Sequence, residues 1–124
     1  MRKLKMTIGR VILHAELLDT PTAEAMLAAV PFESRIATWG DEVYFPAPIQ
    51  ADREAAARDV VEAGEIAYRP EGGAVIVGFG PTPMSEGEEI RLATPSNVFA
   101  RTEGDVHALR TVEPGQLVTI ELVD

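Results

Sequence analysis

Leu4, Met6 and Ile8 alternate with Lys5 and Thr7 at the start of the chain, the period-two pattern of a strand with one buried face. Gly9-Arg10 supplies a turn, and Val11 to Leu17 reads as the return strand of a hairpin. The pattern then changes. Asp19-Thr20-Pro21-Thr22 opens a helix, because Asp or Thr caps the first amides and proline fits a first turn whose N–H would be unpaired anyway. This helix is expected to run through Ala25, Met26, Leu27 and Ala29 to about Val30, where Pro31 stops it.

Phe32 to Trp39 and Asp41 to Phe45 follow as strands around Gly40, the second ended by Pro46-Ala47-Pro48. Residues 51 to 59, ADREAAARD, have helical composition without an apolar stripe, so a solvated loop or short surface turn stands beside a helix. Ile66 to Tyr68 and Ala74 to Phe79 flank the turn Pro70-Glu71-Gly72-Gly73, and Asn97 to Ala100 is a further strand. Val106 to Leu109 forms one helical turn, and Leu117 to Leu122 closes the chain after the Glu113-Pro114-Gly115 turn. Some eight short strands, about one main helix and a short second helical turn predict a mainly β protein, a small closed barrel or sandwich. A single domain over residues 1 to 124 is expected, since that length supports one core.

Composition narrows the partners. With 46% hydrophobic and 25% charged residues the chain is an ordinary globular sequence. Its formal charge of -9 argues against nucleic acid, which is bound by clustered Lys and Arg. The absence of cysteine removes disulfides, thiolate catalysis and thiolate metal sites. No segment approaches the roughly 18 apolar residues of a membrane span, and the basic Met1 to Lys5 leads into alternation rather than a signal-peptide apolar block. No membrane partner and a cytoplasmic location are therefore expected.

Reactive side chains are sparse. His14 and His107 sit in distant elements with no carboxylates at metal-site spacing, and no Gly-x-Ser-x-Gly elbow marks Ser34, Ser85 or Ser96 as a nucleophile. The glycines at 72, 73, 78, 80 and 87 lack the Gly-Lys-Ser/Thr of a phosphate loop. Ser85-Glu86-Gly87-Glu88-Glu89 reads as a solvated acidic loop ahead of a cation site. No metal and no cofactor are expected. Trp39, the single tryptophan, lies in TWGDEVYF, where grouped aromatics serve as core or as the wall of a ligand site, core being the commoner use.

Longer stretches carry a resemblance. AVIVGFGPTPMSEG followed by VFARTEGDVHALRTV is similar to the second half of a cyclophilin, with its buried strand, Pro-Thr-Pro-like turn, acidic-Gly loop, Val-Phe-Gly-Arg-like strand and helical turn. GRVILHAELLDTPTAEAMLAAV resembles the same family's first strands and its Pro-Lys-Thr-Ala-Glu-Asn-Phe helix, and TWGDEVYF with GEIAYRP looks like a small prokaryotic branch of cyclophilin-like proteins. The resemblance covers nearly the whole chain and implies a closed cyclophilin-like β-barrel. It also implies losses. Isomerase members carry Phe-x-Arg and then Phe-Met-x-Gln, whose arginine contacts the prolyl group; the corresponding VYFPAPIQ has no arginine in that pattern. Alignment on the Pro-Thr-Pro turn puts Ala74 at the family glutamine, Val75 and Ile76 at the two phenylalanines, Met84 at the tryptophan and Glu89 at the loop histidine.

The function this implies is binding of a peptide segment or small ligand in the former substrate cleft, lined by Tyr44, Tyr68, Ile76 and Met84, without efficient prolyl isomerisation. Arg69 and Arg101 are the residues that would replace the missing guanidinium in the alternative, a prolyl isomerase with a rearranged site. A third reading is structural, a homodimer through exposed barrel edges or aromatics.

Overall fold

The computed structural model describes residues 2 to 123. Strands β1 (Lys3–Ile8) and β2 (Val11–Leu17) form the opening hairpin, Lys3 opposite Glu16 and Ile8 opposite Val11. Their alternation sends Leu4, Met6, Ile8 and Leu13 inward. Helix α1 (Pro21–Ala29) starts where the sequence marks it: the Thr20 side chain accepts from the Ala23 amide at 3.0 Å, and Pro21 occupies the first turn.

After the helix come β3 (Phe32–Arg35), β4 (Ala37–Thr38), β5 (Glu42–Pro46), β6 (Arg58–Val61), β7 (Glu65–Arg69), β8 (Ala74–Gly78), β9 (Ile90–Thr102) and β10 (Leu117–Val123), with a 3₁₀ turn at Val106–Thr111. The main path of the sheet runs β3-β10-β1-β2-β9-β7-β8-β5-β4. Its two ends, β3 and β4, are joined through Ile36, whose amide donates to the Gln116 carbonyl and whose carbonyl accepts from Gly115. The sheet is thus a nearly closed, mainly β barrel with one main helix and a short second helical turn. Inward side chains from all sides, including Phe45, Ile66, Val75, Val77, Phe99 and Ile120, fill it.

The number of strands, ten, exceeds the expected eight or so, for identifiable reasons. The segment from Phe32 to Trp39 is broken at Ile36, and residues 51 to 59 contain no helix, their C-terminal part opening β6 instead. The other difference is β9, expected only at Asn97 to Ala100. Its second half belongs to the barrel, pairing with β7 and β2; its first half leaves the barrel and pairs with β6. The register of that pair shifts between Arg58 and Val60, opposite the stretch containing Pro95, where a residue without an N–H is tolerated in a ladder.

The β6/β9 ribbon folds over the outside of the barrel. Val61, Ile90 and Leu92 from the ribbon pack on Ala67 and Ile76 of the barrel's outer face, with Tyr44 and Val98 alongside, making a second apolar cluster. A barrel strand facing solvent on its outside would alternate apolar and polar; β8 reads as a continuous apolar run because it is covered on both sides.

Candidate functional site

Two turns interlock at the end of this covered face, and they account for the unusual Gly-Phe-Gly-Pro-Thr-Pro stretch. The Asp41 amide donates to the Pro81 carbonyl at 2.9 Å, and the Phe79 amide to the Asp41 carbonyl at 2.8 Å. Gly40 has φ +59, and a Cβ there would stand 2.9 Å from Thr82 Cα and 2.8 Å from Pro83 Cδ. Both the left-handed backbone and the close approach call for glycine. Beyond it, Thr82 and Ser85 bond one another and the Arg91 backbone, so the loop from Pro81 to Arg91 is held by its own polar groups. Pro81 and Pro83 end the pairing of β8, and the turn they shape docks on the start of β5.

Glu42 begins β5 at this junction. It lies opposite Gly78, on the same outer face as Tyr44, which lies opposite Ile76. Missing a side chain, Gly78 leaves a space that Ile90 fills from above. Glu42 is 2% exposed, and its Oε1 is the one buried side-chain oxygen or nitrogen among the described residues without a hydrogen-bond partner. Burial pushes its carboxyl up to about 7, against the opposing charge of Arg69. The carboxyl therefore carries its proton through much of the range in which an exposed glutamate is ionised.

The residues named from the sequence divide between two faces. Tyr44, Arg69 and Ile76 come together on the outer face, the Arg69 guanidinium 5.5 Å from the Tyr44 ring centroid and its Nε donating to the Glu71 carbonyl at 2.7 Å. Tyr44 is half-buried and Ile76 is covered by the ribbon. Met84, on the loop next to Pro83, is 51% exposed. Tyr68 points the other way, into the barrel, 1% exposed, with its hydroxyl donating to the Ile49 carbonyl at 2.9 Å. It forms the base of a shallow depression of about 470 Å³ with Gln50, Ala51, Asp52 and Pro70. Trp39 is half-buried, belongs to neither apolar cluster, and donates its amide to the Glu42 carbonyl at 3.0 Å.

Arg101 lies elsewhere, in a groove of about 780 Å³ between β2 and β7 that also holds Lys3, His14, Glu16, Glu62 and Glu103. Lys3 faces Glu16, Glu16 faces Arg101 and Arg101 faces Glu65, a cross-strand row of alternating charge. Burial alone would raise Glu65, but the hydrogen bonds from Arg58 and the Glu62 amide, with the charges of Arg58 and Arg101, hold it below the ordinary carboxylate value. The groove is the larger depression, yet its buried acid is already compensated. The outer face beside Glu42 is where a buried polar group is left unmet, which marks it as the stronger candidate site. Among the described residues no group of three or more His, Asp or Glu side chains is placed to hold a metal ion.

A barrel of this topology, with one helix after the opening hairpin and a proline turn beside the outer face, defines a cyclophilin-like protein. The cyclophilin-like family model matches residues 2 to 121, and the chain belongs to that family. The solution structure of a hypothetical protein from Archaeoglobus fulgidus is similar over 98% of this chain and 93% of its own, at 34% identity and a TM-score of 0.81. No functionally curated protein matches the sequence. No helix is long and apolar enough to cross a membrane among the described residues.

Sequence reasoning missed Glu42. Its signal was present: the alternation Glu42, Tyr44 puts it on the face of the aromatic, and a carboxylate on that face is inconspicuous only if the face is solvated. What makes it exceptional is the ribbon above it, which the sequence pattern did not disclose.

Proposed function

We propose that this cyclophilin-like barrel binds a peptide segment or small ligand on the outer face around Tyr44 and Arg69, over the ribbon-covered Ile76 and beside the proline turn that carries Met84, and that it lacks efficient prolyl isomerase activity. The observation carrying the reading is Glu42: a buried carboxyl without a partner is costly, and such costs are retained where a ligand supplies the missing interaction. The face also presents the half-buried Tyr44 ring and the Arg69 guanidinium beside the ribbon-covered apolar cluster, an aromatic surface and a donor that fix a ligand's position. Titration with proline-containing peptides and a panel of small metabolites, followed residue by residue by NMR, tests it. Shifts confined to Glu42, Tyr44, Arg69 and Ile76 support the site; shifts only in the Arg101 groove reject it.

The isomerase reading keeps one specific support, the Arg69 guanidinium poised over Tyr44. Twisting a prolyl amide faces a barrier of about 18–20 kcal/mol, lowered by a donor that weakens its resonance. A protease-coupled assay on X-Pro peptides is expected to give a rate close to the spontaneous one. Strong catalysis that is lost in Arg69→Ala would reverse the preference.

A further inference from the structure

We infer that the β6/β9 ribbon is a pH-sensitive cover over the outer face, held shut while the Glu42 carboxyl keeps its proton and released when that proton is lost. Opening uncovers the apolar cluster beneath. The inference concerns when this face is exposed and needs no ligand, so it stands or falls separately from the binding reading above.

The cover is weakly anchored by its own ladder. Arg58 lies opposite Ser96 but Val60 opposite Arg91, so one residue of β6 spans the place where β9 carries four, Leu92 to Pro95. Beyond this break two pairs remain at the tip, Val60 with Arg91 and Val61 with Ile90. A two-stranded ribbon of that length has no stability of its own. What holds it is the packing of Val61, Ile90 and Leu92 on Ala67 and Ile76. The barrel does not depend on it in return, because β7 pairs with β8 and the second half of β9, and β8 pairs with β5. The ribbon is thus able to lift while the barrel ladders stay closed.

Glu42 sits where the cover meets the barrel. It lies opposite Gly78, and a Cβ on Gly78 would stand 2.4 Å from the Ile90 side chain, so Ile90 rests on the sheet beside the carboxyl. With 2% exposure and no partner for Oε1, the neutral acid is tolerated there; the carboxylate has lost its water and gained no donor. Lifting Ile90 returns that water.

The charged groups on the surrounding elements leave this balance in place. On β7, Arg69 opposes the effect of burial but donates its Nε to the Glu71 carbonyl, and Glu65, one step beyond the Ile66–Val77 pair, is held by Arg58 and Arg101. β8 offers only Gly78 opposite the acid. Ahead of Glu42 in the chain, Asp41 turns its carboxylate toward Gly80, and Trp39 gives its amide to the Glu42 carbonyl. From the ribbon and the proline turn, Arg91 is taken by Glu89 and Asp59, and the Thr82 hydroxyl by the Arg91 carbonyl. Burial therefore prevails and sets the closed-state carboxyl at about 7, whereas in the lifted ribbon it returns toward 4.5. Opening releases a proton between those values, so it is promoted as pH rises through that window and levels off above it.

Native-state hydrogen exchange by NMR at pH 5 and pH 8, corrected for the pH dependence of the chemical exchange step and repeated in low urea, tests this. Amides of residues 58–61 and 89–92 are expected to exchange at pH 8 through an opening of shallow urea dependence, about tenfold or more above its population at pH 5; the β1–β2 hairpin is expected to exchange only through the steep global opening. Glu42→Gln, neutral at both pH values, should remove the pH dependence of the ribbon, and Glu42→Met, apolar and of similar length, provides the same test should the glutamine variant fail to fold. Ribbon amides that share the hairpin's opening free energy and urea slope overturn the inference. So does a ribbon opening equally populated at pH 5 and pH 8, or one whose pH dependence survives in the variants. All of these are read without ligand, so failure here leaves the titration of the binding face to be judged on its own.

Discussion

Glu42 changes how the protein responds to pH. Its folded-state value, about 7, lies above the ordinary 4.5, so between those values the folded chain holds a proton that the unfolded chain has released. Stability from this residue is therefore complete below pH 4.5 and falls as pH rises to about 7, by about 2 to 3 kcal/mol. Glu65, held low by Arg58, works in the opposite direction and in the acid range. Urea unfolding at pH 5 and pH 8 should show the Glu42 loss in the wild type and not in Glu42→Gln, whose difference from the wild type cancels the other carboxylates. Met84 gives a contrasting expectation. Its half-exposed side chain leaves no closed cavity when truncated, so Met84→Ala should shift stability by less than about 0.5 kcal/mol in thermal melts, whatever it does to binding. Asn97 is the buried polar residue on which three segments depend: it donates to Thr22 Oγ1 and the Asp52 carbonyl and accepts from the Glu54 amide. Asn97→Ala should cost about 2 to 4 kcal/mol by denaturant unfolding, since it strands two backbone groups.

Among the elements, the opening hairpin, α1 and the closing strand were legible because each is specified locally: alternation for Leu4, Met6 and Ile8, a cap and a proline for the helix. The ribbon was not. Arg58-Asp59-Val60-Val61 follows a run of helix-forming residues, and the first half of β9 contains Thr94-Pro95, so neither half advertises a strand; each is stabilised by the apolar cluster beneath it. The same cause hid the burial of Glu42, whereas Tyr44 stood out as an aromatic and Ile76 through the family position it resembles. Gly78 is where ribbon and barrel meet most closely, since a Cβ there would collide with the Ile90 side chain. Gly78→Ala should push Ile90 outward and cost about 1 to 3 kcal/mol. Hydrogen exchange would then show faster opening of Val61 and Ile90 with the β1–β2 hairpin unchanged.

For the molecule as a whole, a barrel that closes through Ile36 fills its interior with packing side chains, Tyr68 among them, and the outer face is where binding is proposed. The chain keeps the family's barrel; in it the Pro81-Thr82-Pro83 turn anchors the loop to Arg91, and the β6/β9 ribbon roofs the face that holds Glu42. The binding reading rests on Glu42, whose carboxyl burial holds half-protonated at about pH 7. Its most direct test is the carboxyl carbon shift of Glu42, followed by NMR from pH 4 to pH 9 in the ligand-free protein. The account predicts a single titration with a midpoint near 7; a midpoint near the ordinary 4.5 would contradict it.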